Sequence, residues 1–282
     1  MRLSTKICLI TAASLILLGC LIFVGALAMA NWNFLNFVTA KYETNSYSPE
    51  GEVKNISVIT NTADVSIIPT DSDTVKVVCY DQEKNRHEVT LVDGELKIER
   101  KNTKKWYDYI EINFESPKIE VYLPRGEYSA LSVKLSTGKA TMTEGLTFES
   151  VKITASTGDV KLEGLTTKSL ELKLSTGKTT LNNVNCDTFS STAGTGDIIL
   201  KNLIAKDSIS IKRSTGDVKL DSCDASELTI QTDTGDVTGT LLSSKIFITH
   251  TSTGKVSVPE TTEGGKCKIT TSTGNIKISI NK

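Results

Sequence analysis

Ser156-Thr157-Gly158-Asp159-Val160-Lys161-Leu162 is the phrase that decides the fold, and it returns unchanged as Ser214-Thr215-Gly216-Asp217-Val218-Lys219-Leu220. With small variations its Thr-Gly core recurs between Ser136 and Ile280, at Gly138, Gly158, Gly177, Gly196, Gly216, Gly235, Gly254 and Gly274. From one glycine to the next the steps are 20, 19, 19, 20, 19, 19 and 20 residues. A near-constant short period marks a solenoid, in which each repeat is one coil that cannot bury its apolar face alone.

The coil reads residue by residue. After each glycine apolar and polar residues alternate, as at Val160 and Leu162, Ile198 and Leu200, Val218 and Leu220, or Ile276 and Ile278. That is the period of a half-buried strand. A turn rich in Gly, Asn or Asp follows, then an apolar residue at Leu165, Val184, Leu203, Cys223 and Leu242. A second alternation leads to the next glycine, as at Val151 and Ile153 or Leu170 and Leu172. Two strands per repeat are too few for a propeller blade, and the turns are too short for a crossover helix. The expected fold class is therefore all-β: a parallel β-helix, or β-solenoid, of about eight 19–20-residue coils over residues 136–282. Equivalent residues would stack about 4.8 Å apart in ladders.

Upstream, residues 53–135 carry strand signals without a clean repeat. Asn55 to Ile68, Thr74 to Tyr80, His87 to Val92, Glu95 to Arg100, Tyr109 to Phe114 and Lys118 to Leu123 read as strands, and Thr62-Ala63-Asp64-Val65 resembles a worn copy of the coil phrase. The region reads as degenerate coils plus hairpins that close one end of the solenoid, because an uncovered end invites other chains. The last strand, Asn275 to Ile280, has no such cover in the sequence, and Lys277 and Lys282 are its expected protection.

No charged residue lies between Lys6 and Lys41. Residues 7–30 would span about 36 Å as a helix, enough for a hydrocarbon core of roughly 30 Å. Arg2 and Lys6 place residues 1–6 in the cytoplasm by the positive-inside rule and export everything after a linker at 31–52. Trp32, Phe34 and Phe37 suit the outer interface. Ala28-Met29-Ala30 matches a signal-peptidase site and Leu17-Leu18-Gly19-Cys20 loosely resembles a lipobox. The apolar run outlasts both patterns, which favours a retained single-pass anchor in the cell membrane.

The repeated phrase, preceded by Trp106-Tyr107, Ser116-Pro117-Lys118-Ile119 and Val121-Tyr122-Leu123-Pro124, resembles the DUF4097 family of bacterial proteins described as adhesins with a β-strand repeat. The resemblance covers about Ile56 to the end. It implies a β-solenoid, a mainly Firmicute envelope setting and, in some members, a link to envelope-stress regulation. It implies no catalytic residues.

Little chemistry stands out. A net charge of −1 over 282 residues argues against nucleic acid as a partner. Cys223 shares the ladder position of Leu203 and Leu242, and Cys267 that of Leu170 and Leu228, so both read as small core residues. Cys186 and Cys223 stand two coils apart, beyond disulfide reach. CxxC is absent, and neither His87 nor His250 has a ligand set nearby in sequence, so no zinc site is expected. The residue after each glycine reads Lys139, Asp159, Lys178, Asp197, Asp217, Asp236, Lys255, Asn275 in chain order, which sets Asp236 beside Lys255. Asp197, Asp217 and Asp236 are weak calcium candidates, with a solvated row the favoured reading. Arg213 stands where other coils have Ala155, Leu174, Ala193, Thr232 and Thr271, and is expected at a corner with its head in solvent or paired with a carboxylate such as Asp233. Ile246 and Ile248 are out of step with Leu228 and Ile230, which predicts a bulge beside His250.

The sequence therefore predicts no enzyme, no cofactor and no catalytic residues. A polysaccharide-acting β-helix enzyme is disfavoured, because the repeats lack aromatic platforms and loops long enough to wall a cleft. The expected work is adhesion or scaffolding at the envelope, with regular ladders, Lys152, Lys173 and Lys212 among them, meeting a cell-wall polymer or host surface. An accessory of an envelope-stress system, touching an integral membrane partner, is the alternative.

Overall fold

The computed structural model describes residues 3–29, 31–32, 41–83, 85–102 and 115–281. Trp106-Tyr107, the expected strand from Tyr109 to Phe114, and Arg2, Phe34, Phe37 and Lys282 lie outside the described residues. One helix, α1 (Leu3–Met29), is long and apolar enough to cross a membrane, with a mean hydropathy of 2.8. Trp32 follows it and is exposed.

The strands form one compact unit to which α1 does not belong. In chain order they are β1 (Tyr42–Tyr47), β2 (Asn55–Thr60), β3 (Asp64–Thr70), β4 (Lys76–Gln82), β5 (Asn85–Val92), β6 (Glu95–Asn102), β7 (Lys118–Pro124), β8 (Glu127–Thr137), β9 (Ala140–Met142) and β10 (Leu146–Thr157). Then come β11 (Val160–Glu163), β12 (Leu165–Thr176), β13 (Thr179–Thr195), β14 (Ile198–Thr215), β15 (Val218–Thr234), β16 (Val237–Leu241), β17 (Lys245–Thr253), β18 (Val256–Ser257), β19 (Gly265–Thr273) and β20 (Ile276–Ile280).

Parallel pairing stacks these strands into the expected β-solenoid. Strands leading up to the glycines lie in the order β6, β2, β8, β10, β12, the latter halves of β13, β14 and β15, then β19 and β17. Strands leaving them lie in the order β7, β3, β9, β11, the first halves of β13, β14 and β15, then β16, β20 and β18. Aliphatic rows fill the interior: Val133, Ile153 and Leu172 form one, and Val160, Ile198, Val218, Val237 and Ile276 belong to another. Each such side chain contributes roughly 1.5–3 kcal/mol by leaving water.

The glycine has a steric cause. Gly158 and Gly177 have φ near +148° and +147°, and a Cβ on either would land on the carbonyl oxygen of the glycine one coil before it. Only a residue without a side chain lets the corners stack this closely. Where a step is 20 residues, the extra one is absorbed locally. In β14 both Lys206 and Asp207 lie opposite Asp187, a bulge in the ladder.

Stacking order departs from chain order at both ends. At the first, the earlier coil β2–β3 lies inside and the later coil β6–β7 outside. At the other, β19–β20 slides between β15–β16 and β17–β18. The expectation that Asn275 to Ile280 lacks cover is therefore corrected: β20 pairs with β16 on one side and with β18 on the other. The expected strand from Asn55 to Ile68 is two strands, broken at Asn61-Thr62-Ala63, where the chain turns the corner. Antiparallel strands close the first end, with β4 on β7, β1 on β4 and β5 on β6.

Two sequence readings near the last coils also change. Leu241, fully buried, takes the row of Cys223, and Leu242 is exposed. β17 keeps an unbroken register with β19 and has no bulge; Phe247 stands opposite Cys267, so Ile246, Ile248 and His250 face outward.

Candidate functional site

The candidate site is the edge of the column along the glycine corner. Just before each glycine stands a threonine, and Thr137, Thr157, Thr176, Thr195, Thr215, Thr234, Thr273 and Thr253 pair in that order, strand on strand. All are exposed. The row offers a hydroxyl and a methyl about every 4.8 Å without interruption.

Beside it runs the row after the glycine, in stacking order Asp64, Lys139, Asp159, Lys178, Asp197, Asp217, Asp236, Asn275 and Lys255. Asp236 thus neighbours Asn275, not Lys255, because the last coil is the inserted one. Its carboxylates have a structural task. Asp197 Oδ1 accepts the backbone N–H of Asp217 at 2.9 Å, Asp217 Oδ1 that of Asp236 at 3.0 Å, and Asp236 Oδ1 that of Asn275 at 2.6 Å. Asp64 and Asp159 do the same for Lys139 and Lys178. At a corner the N–H of this residue has no strand partner along the axis, so the carboxylate of the adjacent coil satisfies it. Three like charges in a row are tolerated because each holds a backbone donor, and Lys219 Nζ lies 3.8 Å from Asp217. Among the described residues, Asp197, Asp217 and Asp236 do not form a metal-ligand cluster.

On the adjoining outer face Lys173, Thr192, Lys212 and Gln231 share one row. Lys152 belongs to the next row, opposite Glu171, so the three lysines are divided between two ladders. Glu171 takes both Lys152, at 2.8 Å, and Lys173, whose hydrogen bonds hold its carboxyl below the usual range.

Arg213 departs most from expectation. It is neither at a solvent corner nor paired with Asp233, which is exposed; its side chain points into the column and is 1% exposed. Its row was read correctly, between Ala193 and Thr232, and that row faces inward. One guanidinium nitrogen donates to Ser191 Oγ at 2.9 Å and to Thr179 Oγ1 at 3.4 Å, while Nε and the other terminal nitrogen have no partner. Burial pulls its pKa down to about 10.

Cys79, Cys186, Cys223 and Cys267 are free and buried, and Cys223 and Cys267 fill aliphatic rows. Burial pushes the Cys267 thiol up to about 12, so it stays protonated and inert. His250 is exposed on the outer face. His87, read as having no ligand set, is buried beside Asp81 and Cys79, which the β4–β5 hairpin brings to it. A signal for this did exist, since Cys79 and Asp81 are two apart on a strand and so share a face.

A cleft of about 550 Å³ lies outside the repeats, lined by Glu50, Glu52, Val53, Asp73 and Tyr128 among others. It holds carboxylates but no histidine, arginine or lysine, and the Tyr128 hydroxyl is taken up by the Pro124 carbonyl at 2.7 Å.

The family described as Toastrack DUF4097 matches over residues 53–185 and again over residues 166–282. Among solved structures, a protein from Bacteroides fragilis described as a "putative adhesin" is 18% identical, with a TM-score of 0.53 over 85% of this chain and 97% of its own. A "putative lipid binding protein" from Parabacteroides distasonis is 17% identical, with a TM-score of 0.56 over 86% of this chain and 98% of its own. A "putative adhesin" from the same organism reaches 0.54 at 16% identity, over 86% and 98%. At such identities the likeness is one of fold. No curated protein matches the chain.

Proposed function

From the chain's membership of the Toastrack DUF4097 family, we propose that it is a membrane-anchored, non-enzymatic surface protein that holds a repeating polymer along the threonine edge of its solenoid. The descriptions of its structural neighbours as adhesins and a lipid-binding protein fit a non-enzymatic surface role. The observation that carries the reading here is the uninterrupted, exposed row of threonines from Thr137 to Thr253. A polymer with its own repeat meets identical hydroxyls at a fixed spacing, so individually weak contacts add up. α1 supplies the single-pass anchor, with the column on the extracytoplasmic side.

The test uses the full chain in detergent or nanodiscs, mixed with insoluble cell-wall polymer and with host-surface glycans. Retention by one of these is expected, with affinity falling stepwise as Thr176→Val, Thr195→Val and Thr215→Val are combined. Each β-branched replacement keeps strand propensity and removes only the hydroxyl. Absence of retention on every polymer, together with in-cell crosslinking to an integral membrane protein, would replace adhesion with the accessory role.

A further inference from the structure

We propose that Cys79, Asp81 and His87 form a buried binding site for a zinc-type divalent cation that ties β5 to β4. The ligand atoms of these three side chains lie within 4.8 Å of one another. None is more than 3% exposed.

Strand geometry makes the cluster. Cys79 and Asp81 are two residues apart on β4 and point the same way, into the body. The turn at Gln82–Asn85 folds β5 back, and His87 faces them. His87 Nδ1 lies 2.7 Å from Asp81 Oδ1, and the His87 backbone N–H donates to Asp81 Oδ2 at 2.7 Å. The other ring nitrogen meets Thr60 Oγ1, at the end of β2, at 2.9 Å.

Charge explains why a cation belongs here. Asp81 has no exposed surface and faces His87, which offsets its charge only when protonated; a divalent cation between them would supply that charge with the imidazole neutral. A divalent cation bound by one thiolate, one carboxylate and a neutral imidazole forms a set with zero net charge, the form a dry interior tolerates best. Sulfur, nitrogen and oxygen donors together match zinc, which accepts all three, and exclude calcium and magnesium, which take oxygen. A water would complete four-coordination, and His87 would bind through Nδ1 as the tautomer whose Nε2–H donates to Thr60 Oγ1. The ring nitrogen and carboxylate oxygen would separate to about 3.3 Å, as ligands at about 2.0 Å from a tetrahedral centre do. Binding breaks the Cys79 S–H bond and forms a metal–sulfur bond, with the thiol proton released to solvent. This site plays no part in polymer binding, so its failure leaves the adhesive reading untouched.

The experiment refolds the full chain in detergent, carrying Cys8→Ala and Cys20→Ala to remove the exposed thiols of α1, in the presence of cobalt(II) as a spectroscopic stand-in for zinc. The expected result is one cobalt per chain with a thiolate-to-metal charge-transfer band, displaced by zinc and absent in Cys79→Ser but present in Cys186→Ala. Zinc at a hundredfold excess over its dissociation constant should raise the melting temperature by about 5–10 °C. No band in the parent chain, or a band that survives Cys79→Ser, overturns the proposal. Should Cys79→Ser fail to fold, His87→Gln takes its place. Should both fail, the metal content of the parent chain purified without chelator decides, at about one zinc per chain or none.

Discussion

Both ends of the column reverse stacking order, but they finish differently. At the first end the outer coil β6–β7 is itself covered, by β5 and β4 in antiparallel pairing. At the other, no described strand pairs with the far side of β17 or β18, and Ile246, Ile248 and Val256 are 40%, 52% and 44% exposed. The shared reversal places at each end a coil between two others, which satisfies its backbone on both sides. The contrast shows that blunting the edge is a separate problem, solved at one end by hairpins and left open at the other.

The largest expected effect separates the interior from both ends. Gly177→Val should prevent folding of the column, because the new side chain would overlap the Gly158 carbonyl in a coil held on both sides, at a φ that β-branched residues avoid. At Gly254, in the outer coil, the same substitution overlaps the Gly274 carbonyl, and because the coil is paired on one side among the described strands it should cost that coil rather than the whole fold. A methyl group at Gly126 would find no atom within 4 Å, so Gly126→Ala should be silent. Circular dichroism and expression level report all three.

Next in size is loss of the inserted coil. Deleting residues 265–282 removes β19 and β20, the described strands that pair with β17 and β18, so two coils should be lost, and proteolysis should trim the product back to near Leu241. A crosslink sharpens the point. Thr229 lies directly opposite Lys268, so Thr229→Cys with Lys268→Cys should form a disulfide. Thr229→Cys with Ile248→Cys, neighbours only if coils stacked in chain order, should stay reduced at about 9.6 Å. The reverse outcome would restore simple order and erase the likeness between the two ends.

That reversal marks where sequence reasoning stops. The period revealed the coil because every repeat must place the same apolar rows inside, and it even exposed the worn copy at Thr62–Val65, where Ala63 sits against Gly138 and Asp64 caps the next coil. Coil order leaves no such trace, since any order keeps threonine on threonine and glycine on glycine. The sequence assigns Arg213 to the right row but not to the right direction, because the row's buried neighbours, and not the residue's charge, set which way it points. The spacing of Cys79 and Asp81 puts them on one face of a strand, but the arrival of His87 depends on how the hairpin folds, which that spacing does not encode.

A smaller effect tests the interior by itself. Arg213→Met should stabilise the fold by about 2 kcal/mol, because a buried, poorly paired charge gives way to an apolar chain of similar volume. The pH dependence has a definite sign. Burial lowers the folded pKa to about 10, below that of the unfolded chain, so the unfolded chain holds this proton more tightly. The cost is therefore fully present below about pH 10 and fades as pH rises from there toward the ordinary arginine range. The gain from the substitution, measured by denaturant titration, should shrink over that window, and a gain independent of pH would mean that packing, not charge, governs the site.

The smallest effect belongs to the outer face. Glu171→Gln breaks the contacts to Lys152 and Lys173, yet the two lysines are about half exposed and the carboxylate is 31% exposed. Such pairs contribute about 0.2–1 kcal/mol in water. Hydrogen bonds from the two lysines lower the Glu171 pKa in the folded state, so its contribution is present above the ordinary carboxylate range and is lost as pH falls through the folded value. The difference between wild type and Glu171→Gln should accordingly vanish in acid and diminish with added salt. If it instead exceeded the Arg213 effect, charge on the outer face, rather than backbone pairing and buried rows, would set the stability that distinguishes the interior coils from the open end.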